Sequence, residues 1–167
     1  MNEPNALITF FEGTKLNVYK DSNGFPTVGV GHLIKPEDNL KMGDTITPEQ
    51  SDVFLTQDLI QAAQKVDSII KIPVKDYERA ALISQAYNLR SFNQLAGHLQ
   101  NEGRAVYKVK SLLYCKDSQG RTYNGLLIRR ICELLLFDNK DWLSIAQNLQ
   151  SKHSLKYTQS MIPKLIA

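Results

Sequence analysis

Glu12, Asp21 and Thr27 stand close together in one stretch, FFEGTKLNVYKDSNGFPTVGVGHLI, residues 10–34. Asp21 follows Glu12 by nine positions and Thr27 follows Asp21 by six. Two carboxyl groups carried by different elements, with a hydroxyl nearby, are what hydrolysis of a sugar–sugar bond requires. One acid must protonate the leaving oxygen. The other must stay ionised, to stabilise positive charge on the sugar or to activate water. The bare pair means little, because Asp and Glu make up 17 of 167 residues and most such pairs are solvated surface charges.

The elements that must position these groups give the pair its weight. Glu12 follows Leu7, Ile8, Phe10 and Phe11, an apolar stripe that predicts a helix over residues 5–12 with Asn5 as its cap. Gly13 then ends the helix, because glycine takes the left-handed cap conformation cheaply. A carboxyl group at such a junction is half shielded from water, and shielding favours the protonated form that a general acid needs. Asp21 falls in the polar turn Lys20-Asp21-Ser22-Asn23-Gly24, between strand-like runs. A carboxylate in a wet turn stays ionised, so the two environments separate an acid from an anion.

Residues 16–34 alternate apolar positions with turn residues, which predicts a small antiparallel sheet. Thr47 can cap a helix that has Pro48 in its first turn and Gln50 closing a capping box. Phe54, Leu55, Leu59, Ala62, Val66, Ile69 and Ile70 then recur at helical spacing until Pro73 breaks the run. Further helical patterns span 76–90, 92–101, 104–114, 126–137 and 140–150. The expected class is α+β and mainly helical, in one folding unit over 1–167 with no repeat or low-complexity linker. A small α/β lobe at 13–47 leads through a connecting helix at 48–71 to a helical lobe at 73–167, which takes back helix 1–12. A cleft between lobes is a usual ligand site, and Glu12 falls where they meet.

Composition narrows the function classes. A chain of 167 residues with 43% hydrophobic content can bury an adequate core, and 22% charge with periodic segments speaks against disorder. No apolar run approaches the roughly 20 residues of a membrane span. The start, MNEPNALITFFEG, has no basic n-region and too short an apolar run for a signal peptide, so synthesis in the cytoplasm is expected. The net charge of +3 favours approach to an acidic polymer. Cys115 and Cys132 lie in apolar helical stretches and are expected as buried free thiols. His32, His98 and His153 share no ligand spacing with them, which argues against a zinc hydrolase, and no cofactor is expected. Gly29-x-Gly31 lacks the third glycine and following helix of a nucleotide site. Lys108 with Lys110, and Arg129 with Arg130, are too short for a nucleic-acid patch and read as solvated faces.

The offsets of Glu12, Asp21 and Thr27, with Tyr19 before the aspartate and Pro26-Thr27-Val28-Gly29-Val30-Gly31-His32 after it, resemble the phage-type lysozymes of glycoside hydrolase family 24. Thr45-Ile46-Thr47-Pro48-Glu49-Gln50 is similar to the start of that family's long central helix, and residues 73–88 to its next core helix. The run from Gly125 to Phe137, with paired arginines and a glutamate, resembles its penultimate helix. The resemblance covers about residues 6–95 and 125–140. Two features depart from it. Arg90 stands where the family has a glycine two positions past Asn88, and residues 100–124, expected to supply part of one cleft wall, match weakly.

The resemblance implies hydrolysis of the β-1,4 bond between N-acetylmuramic acid and N-acetylglucosamine in peptidoglycan, with inversion and so a carboxylate separation of roughly 6.5–9.5 Å. It implies Glu12 as general acid, Asp21 as the stabilising anion and Thr27 as the group that positions water or Asp21. A strand threonine chosen for β propensity is the plain alternative for Thr27. Arg129 matches the arginine that reaches back to the catalytic glutamate. Leu33, Tyr87 and Asn88 match cleft-lining positions, although Leu33 and Tyr87 could equally be core. His32 is expected in a structural hydrogen bond or ion pair near the lobe junction. A monomer acting on the periplasmic wall after release is expected, with a holin as partner if the chain is a phage lysin. An antibacterial effector paired with an immunity protein stays open, as does a non-catalytic peptidoglycan-binding scaffold.

Overall fold

A computed structural model describes residues 4–21, 24–116 and 119–166. Its first helix, α1, runs Pro4–Glu12 and buries Leu7 and Ile8. It begins one residue earlier than the sequence predicts. Pro4 suits a first helical turn, where its missing N–H costs nothing. Asn5 therefore lies inside the helix rather than capping it, and its Oδ1 accepts from the Ala6 amide at 2.8 Å. Gly13 ends α1 at φ +67, its amide bonded to the Thr9 carbonyl at 2.9 Å.

The alternating segment then forms three short strands, β1 Lys15–Lys20, β2 Pro26–Gly29 and β3 His32–Leu33. They pair antiparallel in the order β1-β2-β3, with Tyr19 opposite Thr27 and Thr27 opposite Leu33. Their own small core is Val18, Val28 and Ile46, with Leu16, Ile34, Leu40 and Phe54 packed on it.

The long helix α2 spans Pro48–Ile69. Thr47 caps it as the sequence predicts, its hydroxyl accepting from the Gln50 amide while the Gln50 side chain accepts from the Thr47 amide. It joins the two packing regions. Phe54 touches the sheet core, whereas Ala62 and Val66 enter the helical core. Ile8, Val30 and Leu55 form a bridging cluster between them, with Leu59 and Tyr87 against it.

The remaining helices are α3 Asp76–Asn88, α4 Phe92–Glu102, α5 Arg104–Ser111, α6 Asn124–Phe137, α7 Leu143–Ser151 and α8 Leu155–Leu165. The layout is thus α+β and mainly helical, with eight α-helices and one small sheet among the described residues. Burial of α6 is continuous from Leu127 to Phe137, so it is the central helix of this region. Cys115 and Cys132 are free and buried. Burial pushes both thiols up, which keeps them protonated and inert.

Among the departures from expectation, two boundaries and one additional helix have identifiable reasons, whereas α5 simply ends at Ser111 rather than 114. α3 stops at Asn88 because Leu89 turns extended, at φ −102 and ψ 118. α7 starts at Leu143 rather than at 140 because Asn139, two residues past the end of α6, turns left-handed at φ 55, and Asp141 Oδ1 then takes the amides of Leu143 and Ser144. α8 is absent from the sequence prediction. Pro163 hides its periodicity, but Ser154 caps it by accepting from the Tyr157 amide at 3.2 Å. No helix among the described residues is long and apolar enough to cross a membrane.

Candidate active site

Glu12 is the last residue of α1, so its backbone is fixed by the helix while its side chain projects at the junction with the sheet. That side chain is 26% exposed. Asp21 follows β1 directly. Ser22 and Asn23 of its turn lie outside the described residues. The Asp21 amide donates to the Phe25 carbonyl at 2.9 Å, and Asp21 Oδ1 accepts from the Phe25 amide at 2.8 Å. Thr27, on β2, is almost fully buried, and its hydroxyl donates to the same Phe25 carbonyl at 3.0 Å. The Phe25 peptide groups therefore fasten Asp21 and Thr27 to each other.

Glu12, Asp21 and Thr27 line one open cleft of about 480 Å³ between the sheet and the helices. Leu33, Tyr87 and Asn88 line it too, and Leu33 is half exposed rather than core. Tyr19, Lys65 and Arg90 complete the polar part of its surface. A smaller hollow of about 300 Å³ continues past Leu33, Lys65 and Tyr87 to Lys35, Asp58 and Gln61. Residues 100–124 supply none of the described lining of the cleft, contrary to expectation. Leu113, Tyr114 and Lys116 instead line a neighbouring groove that meets the cleft at Asn88 and Leu89.

Gly31 lies at the cleft floor in the left-handed conformation that favours glycine. It sits at φ +81, and a Cβ there would lie 3.5 Å from Glu12 Oε2 and 3.7 Å from the Tyr87 hydroxyl. Tyr87 donates to the Val30 carbonyl. Burial first, then the negative charges of Asp58 and Glu12, push the Tyr87 phenol well up, so it remains a protonated donor. Tyr19 is raised for similar reasons, by burial and then by Glu12 and Asp21.

Behind the cleft lies a buried charge network. Arg129 Nη1 pairs with Glu12 Oε1, and Arg129 Nε reaches Glu133 Oε1 at 3.3 Å. Arg130 Nη1 lies 3.1 Å from Glu133 Oε2, and Arg130 Nη2 donates to Asn88 Oδ1 at 2.6 Å. Ser84 donates to Glu133 Oε1 at 2.8 Å. Arg129 and Arg130 are 3% and 0% exposed, which corrects their reading as a solvated face. Glu133 and Ser84 are members that sequence reasoning missed. The signal was present: two arginines and a glutamate three and four positions on, inside an otherwise apolar helix.

His32, on β3, has Nδ1 at 2.8 Å from Asp58 and Nε2 at 3.1 Å from Asp38, and its ring stacks on Phe54. Burial alone would lower its pKa. The hydrogen bonds and charges of Asp58 and Asp38 outweigh that and raise it. Among the described residues no three His, Cys, Asp or Glu side chains group to hold a metal ion.

With this geometry in hand, comparison with known proteins is informative. Residues 9–133 match the family model of phage lysozyme, a span that holds Glu12, Asp21, Thr27 and Arg129. The endolysin of Salmonella phage P22 is 38% identical over 79 residues, 47% of this chain and 54% of that protein. The endolysin of Acyrthosiphon pisum secondary endosymbiont phage 1 is 35% identical over 141 residues, 80% of this chain and 94% of that protein. The solved endolysin from Escherichia coli O157:H7 phage FAHEc1 superposes with a TM-score of 0.71 at 30% identity, covering 80% of this chain and 89% of that one. By sequence and by fold alike, this chain belongs to the phage lysozyme family of cell-wall-degrading glycoside hydrolases.

Proposed function

We propose that the chain hydrolyses the β-1,4 bond between N-acetylmuramic acid and N-acetylglucosamine, with inversion at the anomeric carbon and Glu12 as general acid. The observation that carries this reading is the convergence of Glu12 from α1 with the Phe25-tethered pair of Asp21 and Thr27 in one cleft.

Arg129 occupies Glu12 Oε1, while Oε2 faces Gly31 at the cleft floor. In this scheme a proton carried on Oε2 passes to the glycosidic oxygen as its bond to the anomeric carbon breaks. Positive charge then develops on the ring, and the Asp21 carboxylate stabilises it. The Thr27 hydrogen is already given to the Phe25 carbonyl. Its lone pairs can therefore accept a hydrogen from water and leave a water lone pair free to attack. The proton that water loses goes to Asp21 or to solvent.

The relatives named endolysins support a role in lysing the bacterial wall from within, after release from the cytoplasm where the chain is made. NMR of the first products from purified peptidoglycan tests the mechanism. The α anomer is expected. A β anomer would overturn inversion, and no cleavage at all would overturn the enzymatic reading.

A further inference from the structure

Arg90 is a charged residue of the cleft that the proposed chemistry leaves without a task. It follows α3, is exposed, and lines the cleft with Glu12, Asp21 and Thr27. Its guanidinium carbon lies 6.0 Å from the centroid of the Phe25 ring, which is half exposed. Arg90 follows a helix and Phe25 belongs to the hairpin, where its amide bonds Asp21.

The other arginines of the described residues are engaged by oxygen acceptors: Arg79 by Asp67, Arg104 by Glu78, Arg129 and Arg130 by Glu133, and Arg121 by Gln119. Arg90 has no ion-pair partner among the described residues. Its guanidinium lies near an aromatic face instead. A cation near an aromatic face keeps its N–H groups unspent, and a guanidinium's fork of donors fits a carboxylate. Lys65 reaches the same cleft from α2, with Nζ 5.6 Å from the Phe92 ring and likewise no ion-pair partner among the described residues. Two cations supported by aromatic rings thus face one glycan cleft.

We infer that Arg90, with Lys65 in support, binds a carboxylate of the substrate and makes this cleft select acid-bearing muramyl repeats over neutral ones. The inference rests on the glycan-hydrolase reading above. That carboxylate has two possible sources, the ether-linked acid of the muramic sugar itself or the acids of a peptide attached to it. Arg90 is here a specificity-determining residue and takes no part in bond breaking.

The test compares the unmodified protein with Arg90→Gln and Arg90→Lys on soluble glycan strands in four forms. Strands that keep their peptides present only peptide acids. Strands stripped by an amidase present the muramic acid itself. Each is also used after carbodiimide amidation, which removes the charges. Arg90→Gln is expected to raise KM about tenfold on a charged form, the loss typical of one charge-assisted contact, with kcat within about twofold. Arg90→Lys should recover part of the loss, and the amidated forms should not distinguish the variants. The charged form that responds identifies the source. Equal KM values on both charged forms, or the same penalty on amidated strands, would overturn the inference while leaving the enzyme reading intact. Failure of the unmodified protein to cleave any form would overturn both.

Discussion

Arg129 and Glu12 lie 117 positions apart, and the ion pair between them fastens the end of α1 to the buried face of α6. Glu133 holds the other side of the same guanidinium, and Arg130 passes from Glu133 to Asn88. Two cleft residues, Glu12 and Asn88, are therefore set by one network inside the helical core. Replacing Arg129 by Ala removes the cation that faces both glutamates. Loss of one partner from a buried pair costs about 3–5 kcal/mol, because the charge left behind stays desolvated. Urea unfolding should show a loss of that size. A cost below about 1 kcal/mol would mean that Ser84 and Arg130 suffice to hold Glu133.

Glu12→Gln keeps the shape of the side chain but cannot give up the catalytic proton. Proton donation contributes on the order of 10²–10⁴ in rate, and turbidity loss of permeabilised Gram-negative cells should fall accordingly. Its circular dichroism should match that of the unmodified protein. The amide also lacks the charge opposite Arg129, so the variant should be less stable by about 1–2 kcal/mol. Lysis at the unmodified rate would remove Glu12 from the acid role.

Asp21→Asn separates charge from geometry. The amide oxygen can still accept from the Phe25 amide, the bond that Asp21 Oδ1 makes at 2.8 Å, so the turn should survive. What disappears is the fixed negative charge opposite the forming cation. Removing one preorganised electrostatic group typically costs about 10²–10³ in kcat. Initial rates on soluble peptidoglycan measure this, and an unchanged kcat would reduce Asp21 to a turn former.

The His32 cluster predicts a pH dependence with a definite sign. His32 has a pKa above its ordinary 6.5, because the bonds to Asp58 and Asp38 outweigh burial. Its contribution to stability is complete below about 6.5 and is lost as pH rises through the folded value. Asp38 behaves in the opposite sense. Burial would raise it, but the Lys35 amide and His32 hold it below its ordinary 3.8, so its contribution is lost as pH falls through the folded value. The Tm difference between the unmodified protein and His32→Gln should therefore shrink steadily above pH 6.5. A constant difference up to about pH 9 would show that His32 stays neutral in the fold.

The contrast between these residues shows what a sequence can disclose. Glu12, Asp21 and Thr27 lie within one local stretch, so a helix stop, a polar turn and a strand were enough to single them out as candidates that share a cleft. Thr47 and Gln50 announced α2 for the same reason, since a capping box is local chemistry. The Glu133–Arg130–Asn88 chain was not legible in that way. It exists only because α6 packs against α3, and it breaks the rule that charges stay outside. Arg90 was visible only as a residue out of pattern. Its place over Phe25 depends on how the turn after α3 meets the hairpin, which no short window of sequence contains.

Thr27→Glu tests the placement of the attacking water itself. If Thr27 holds water on the side of the sugar opposite Glu12, a carboxylate at this position stands where the water stood. It can then attack the anomeric carbon while Glu12 protonates the leaving oxygen. A nucleophile about 5 Å from the acid is the geometry of a retaining enzyme, and it forms a covalent glycosyl ester. The adduct should persist, because the carboxylate has displaced the water that would hydrolyse it. Intact-protein mass spectrometry after exposure to peptidoglycan should show the chain heavier by a muropeptide. Glu12→Gln in the same background should abolish the adduct, since the leaving group again lacks its proton. An adduct that forms without Glu12 would point to direct reaction of the new carboxylate and would remove Glu12 from the acid role. An unmodified mass in a variant with native circular dichroism would place the water away from Thr27, and would return the threonine to its plain part as a strand residue tied to the Phe25 carbonyl.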